Sequence, residues 1–167
     1  MATERKQQHI RAHNLEAILK IGGVEIYADP TGSYVCFVSD LDICNDGSGP
    51  AHGDPHHIKA TAYKHNRKYL NADHDYYIVI PPQVRKLSRL KVMGCKSRLT
   101  NLTTGGSHDA VCGEIGPPNK TGEASYCLAR KVNASVTHNS GDKRRHYLYE
   151  LWPGVPAAVN GKHYNLV

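Results

Sequence analysis

D-A-V-C-G-E-I-G-P-P-N-K-T-G-E-A-S-Y-C-L-A-R-K-V, residues 109–132, combines a short apolar strand, a stiff Gly/Pro turn and a segment with the pattern of a helix. Pro117, Pro118 and Gly122 restrict the loop, because proline fixes φ and glycine accepts turns that other residues resist. A carboxylate stands on either side of it, with Glu114 at the end of the strand and Glu123 at the expected start of the helix. Two carboxylates held across a rigid loop are the minimum equipment of a glycosidase, in which an acid protonates the glycosidic oxygen and a base activates water. An ordinary surface turn can carry the same pair.

Working outward, strand signals recur on both sides of this stretch. They cover Val24 to Ala28, Tyr34 to Ile43, Ile58 to Tyr63, Tyr76 to Pro81, Lys91 to Thr100, Ala110 to Ile115 and Tyr147 to Trp152. Turn chemistry such as Asp29-Pro30-Thr31-Gly32 separates them. Residues 3–20 carry a helical pattern, with Ile10, Leu15, Ile18 and Leu19 on one face and Gly22-Gly23 as the stop. Many short strands and one late helix predict a mainly-β, single-domain β-barrel, or a sandwich, with helical additions. The expected division is an N-terminal helical extension over 1–22 and a main domain over 23–167.

The chain has 167 residues, enough for one domain with a proper core, and a formal charge of +6. That balance suits an acidic partner, such as nucleic acid or an anionic cell wall. Ten tyrosines carry most of the aromatic content, a residue suited to half-exposed strands and sugar-facing clefts. Five cysteines without CxxC spacing predict free buried thiols. The first residues contain no apolar signal core and no run long enough to span a bilayer. Synthesis in a cytoplasm, with release or delivery to a cell wall, is the expectation for the chain as written.

Other motifs add weaker signals. Asp40 and Asp42 share a face of their strand by alternation. Cys44 and Asn45 occupy the places where a calcium loop needs an oxygen ligand and a glycine, which rejects that reading. The run His52-Gly53-Asp54-Pro55-His56-His57 has the residue types of a transition-metal site, but adjacent His56 and His57 point apart on an extended chain. No metal or cofactor is expected. Lys143-Arg144-Arg145-His146-Tyr147 could bind phosphate, with a solvated hairpin tip as the simpler reading.

Taken in order, these segments resemble the fungal-type chitosanases of glycoside hydrolase family 75. The resemblance rests on Asp40-Leu41-Asp42-Ile43 with Asp46-Gly47, Asp54-Pro55, Thr61-Ala62-Tyr63, Leu70-Asn71-Ala72, Tyr77-Ile78-Val79-Ile80-Pro81, Gly113-Glu114 with Gly116-Pro117, and Gly122-Glu123-Ala124-Ser125. It covers about residues 24–156. It implies a barrel, with the double-psi form as one version, and inverting hydrolysis of β-1,4 links in an amino-sugar polymer without a metal. Carried over, Glu123 falls in the place of the acid and Glu114 in that of the base. Asp40, Asp42, Tyr63 and Ser125 fall in substrate-binding positions. This chain has Glu114 where the family pattern has Asp. Chitosan is the substrate the resemblance implies, while net charge favours peptidoglycan. An inactive glycan-binding or structural protein and a nucleic-acid binder remain as other classes, nucleic acid being the less expected partner.

Overall fold

Alternation of apolar and polar residues produces ten strands and three helices over the first 156 residues, and a short terminal hairpin follows. The computed structural model describes residues 1–167. Its elements in order are α1 (Ala2–Ala12), β1 (Glu16–Ile21), β2 (Val24–Ala28), β3 (Val35–Cys44), β4 (Lys64–His65), β5 (Lys68–Tyr69), β6 (Tyr77–Ile80), α2 (Pro82–Lys86), β7 (Cys95–Asn101), β8 (Ser107–Ile115), β9 (Glu123–Ser125), α3 (Tyr126–Val132), β10 (Asp142–Pro156), β11 (Ala158–Val159) and β12 (Lys162–His163). The main sheet runs β1-β2-β3-β10-β7-β8-β6-β9, and a further pairing of β9 with β3 closes six strands into a barrel. Two of the closing pairs, β3–β9 and β6–β8, are parallel, and the others are antiparallel. No helix is long and apolar enough to cross a membrane.

The core is filled by Phe37, Leu41, Ile78, Leu99, Leu128 and Leu151 together with three wholly buried tyrosines, Tyr77, Tyr147 and Tyr149. The tyrosines thus serve the interior more than a wet surface. Each hydroxyl has a partner, as a buried polar tip requires. Tyr77 donates to the Asp46 carbonyl at 2.7 Å, Tyr149 to the Asp40 carbonyl at 2.8 Å and Tyr147 to the Asp142 carboxylate at 2.6 Å. All five cysteines are free thiols, four of them buried, in agreement with the spacing argument.

Three expectations are corrected. The N-terminal helix stops at Ala12 instead of 20, because Asn14 takes the left-handed conformation at φ 51° and Glu16–Ile21 then runs as a strand. Gly22 and Gly23, at φ 54° and 80°, form the tight turn of a β1–β2 hairpin and do not terminate a helix. The expected boundary at 22/23 therefore falls inside a hairpin, and only α1 stands apart from the sheet. It docks where His9 meets the Tyr34 hydroxyl at 2.6 Å, and Tyr34 in turn donates to Glu150. Third, 58–63 is irregular and not a strand. The Thr61 hydroxyl donates to the Tyr63 carbonyl and accepts from the Leu70 amide, side-chain bonds that replace a ladder.

Candidate functional site

Strand register puts the acidic side chains together. Val79 on β6 is the partner of Glu123 on antiparallel β9 and also of Glu114 on parallel β8. On the far side of β9, Glu123 pairs with Asp42 on β3. Residues directly opposite in a sheet project to the same face. Asp42, Glu123, Val79 and Glu114 therefore form one row across four neighbouring strands. In the alternate row Ala124, Ile78 and Cys112 are wholly buried in the core, while Ile43 at its end is partly buried. With strands ~4.8 Å apart, the α-carbons of Glu114 and Glu123 are roughly 9–10 Å from each other across β6.

The row exists because of a bulge. Ile78 pairs with Cys112 and Val79 with Glu114, so Gly113 is an extra residue on β8. Without it, Val79 would face position 113, and Glu114 would project to the other side of the sheet. Glycine is needed there. A Cβ at 113 would sit 2.4 Å from Leu70 Cδ1 and 2.9 Å from Tyr77 Cβ.

Loops wall this face into a cleft of about 880 Å³. Its lining includes the carboxylates of Asp42, Asp46, Asp54, Glu114 and Glu123, against one lysine, Lys120, and the imidazoles of His56 and His138. Val79, Ile43 and Ile58 supply apolar wall. A protein of net positive charge thus carries a strongly acidic cleft.

The two glutamates have different surroundings. Burial pushes the Glu123 carboxyl up to about 7; the Lys120 ammonium opposes this, while Asp42, Asp46 and Glu114 reinforce it. Gly116 leaves room for this side chain, since a Cβ there would lie 3.1 Å from Glu123 Oε2. Burial also raises Glu114, but its Oε1 accepts the Ala62 and Ile115 amides, both at 2.9 Å, and these hold the charged form. Burial raises Asp46 too, and its Oδ1 accepts the Ile58 amide at 2.8 Å, tying the 58 loop to the end of β3. Lys120 Nζ lies 2.5 Å from Asp42 Oδ2.

Of the residues expected in the site, Glu114, Glu123 and Asp42 come together. Asp40, one step along the face of Asp42, lies beside Gly122 outside the cleft wall, and burial raises its carboxyl, with the Asp42 charge adding to it. Tyr63 and Ser125 are corrected to structural positions. Tyr63 is buried and its hydroxyl donates to the Asn165 carbonyl at 2.9 Å, while the buried Ser125 Oγ accepts the Tyr77 amide at 3.1 Å. Glu123 does not begin a helix. It sits on β9, and α3 starts three residues later at Tyr126. Asp54, Lys120 and His138 were not singled out for the site. The first two lie inside the quoted motifs, and no pattern in the sequence marks the third. The histidine run does not gather as one group, because its His52 turns instead to Asp73 and His138. In the basic cluster, Arg144 grips Asp142 at 2.8 Å and Arg145 donates to the Gly22 carbonyl at 3.0 Å.

No family model matches the chain, and no curated protein does.

Proposed function

We propose that the protein is a glycoside hydrolase that cleaves β-1,4 bonds in an amino-sugar polymer of the chitosan class by inverting acid/base catalysis. The observation that carries this reading is the Asp42–Glu123–Val79–Glu114 row, in which a bulge at Gly113 turns a second glutamate into one acidic cleft. Glu123, with a carboxyl near 7, is the proton donor to the departing glycosidic oxygen. Glu114, raised by burial against the opposing pull of two backbone amides, takes the proton of the water that attacks C1 from the opposite face as the C1–O bond breaks. Two strand spacings across β6 separate the backbones of the two glutamates, a placement compatible with the ~6.5–9.5 Å between carboxyls in inverting enzymes. Lys120 keeps Glu123 from rising further.

With Glu123 holding its proton, four acidic side chains, Asp42, Asp46, Asp54 and Glu114, stand against one lysine and favour a polycationic substrate over peptidoglycan. The cleft acts at close range, where it outweighs the +6 of the whole chain. The test is reducing-end release from chitosan and from peptidoglycan, side by side, for the wild type and Glu123→Gln. Release from chitosan that the substitution abolishes supports the reading. Release from peptidoglycan alone transfers it to a cell-wall hydrolase, and release from neither leaves a glycan-binding protein.

A further inference from the structure

We propose that His52, Asp73 and His138 form a binding site for one divalent transition ion of the zinc class at the rim of the cleft. His52 comes from the loop after β3, Asp73 from the turn before β6, and His138 from the segment between α3 and β10. His52 Nε2 lies 2.7 Å from Asp73 Oδ2 and His138 Nε2 lies 2.9 Å from Asp73 Oδ1. The three donor atoms all lie within 4.8 Å of one another. Tetrahedral ligands at ~2.0–2.1 Å from zinc stand roughly 3.4 Å apart, so binding would swing the His52 and His138 rings out of their near-parallel stack until the Nε2 lone pairs converge.

The donor types fit. Two imidazoles and one carboxylate are borderline ligands that suit zinc, cobalt or nickel, and three protein ligands leave a position open. The side chains are 29%, 22% and 25% exposed, so an ion reaches them without opening the fold. His138 also lines the cleft, which places the cluster at its rim.

Hydrogen bonds to the backbone fix the segments that carry two of the ligands. The Asn45 side-chain amide donates to the His138 carbonyl at 2.7 Å, and that of Asn139 donates to the His52 carbonyl at 2.9 Å. The His138 ring is stacked between those of Tyr126 and His52, with centroids 3.5 Å away on each side. His52 is held at φ 50°, a left-handed conformation that a non-glycine residue adopts only when its surroundings impose it. Asn45 is itself buried, with its Oδ1 unpaired in the protein. On binding, each Nε2 gives its lone pair to the ion, and any proton there leaves to solvent or shifts to Nδ1. The ion would tie together three segments that are far apart in the sequence. None of this depends on the chain being a glycosidase.

The test is equilibrium dialysis of the chelator-stripped full chain against Zn²⁺ and Co²⁺, with the visible spectrum of the cobalt form. One ion per chain is expected, with intense four-coordinate d–d bands and no thiolate charge-transfer band. Asp73→Asn and His138→Ala each weaken binding at least tenfold, while His56→Ala does not. Because a variant can fail by misfolding, a second measurement uses the wild type: two-dimensional NMR of the imidazole nitrogens should show Nε2 of both His52 and His138 shifted by stoichiometric Zn²⁺. Absence of stoichiometric binding, binding that survives both variants, a thiolate band, or unshifted nitrogens overturns the site and leaves a hydrogen-bonded His–Asp–His bridge.

Discussion

Replacing Glu123 by Gln should make the protein more stable at pH 8 while leaving its stability at pH 4 nearly unchanged. The unfolded chain titrates this carboxyl near 4.5, whereas in the folded chain burial and three neighbouring carboxylates lift it to about 7. Between those values the folded state holds a proton that the unfolded state has released. Glu123 therefore destabilises the fold progressively as pH rises from 4.5, and the cost is complete above about 7. At ~1.36 kcal/mol per pH unit, the difference is on the order of 3 kcal/mol, of which water entering the open cleft removes a part. A glutamine keeps the shape of the protonated side chain and never ionises, so it should recover roughly 1–3 kcal/mol at pH 8 and almost nothing at pH 4. The other raised carboxyls remain in both proteins and largely cancel from the comparison. Urea unfolding of both proteins at the two pH values measures the difference, and thermal midpoints should separate by several degrees at pH 8. An equal or lower stability of Glu123→Gln at pH 8 would refute the claim that the side chain is held in a site hostile to its charge.

Three further outcomes follow from the same geometry. Glu114→Gln should lower hydrolysis by ~10²–10⁴-fold, the usual worth of a general base; full activity would remove Glu114 from the mechanism. Gly113→Ala should cost about 1–3 kcal/mol in urea unfolding, because its Cβ collides with Leu70 and Tyr77, and should lower turnover by displacing the neighbouring Glu114. Lys120→Met removes the one cation that lowers the Glu123 carboxyl, so the alkaline limb of the pH–rate profile, which reports the acid, should move to higher pH.

How legible this was in the sequence depended on how local each signal is. The strands at 24–28 and 77–80 and the 147–152 part of β10 carry their apolar content within themselves, and α3 keeps its helical pattern, whereas the charged start of β10 at 142–146 reads as a hairpin tip. The glutamate pair could be named because both flank one stiff loop. Glu16-Ala-Ile-Leu-Lys-Ile21, by contrast, has helix-compatible composition and becomes a strand only because Gly22-Gly23 turns it back onto β2. The Gly113 bulge could not be read, since it is defined by the register of β6, a strand more than thirty positions earlier. Tyr63 and Ser125 carry polar groups that their sequence leaves free, but the fold assigns those groups to the Asn165 carbonyl and the Tyr77 amide. His52, Asp73 and His138 meet only through loop packing, which no spacing rule anticipates.

The most direct test of the central claim is proton NMR of the reducing end first formed from a chitosan oligosaccharide, followed in real time. The account predicts that the α-anomer appears before mutarotation, and that its rate of formation falls at least ~100-fold with Glu114→Gln or Glu123→Gln. Initial β-anomer, or release near the wild-type rate in either variant, would contradict it.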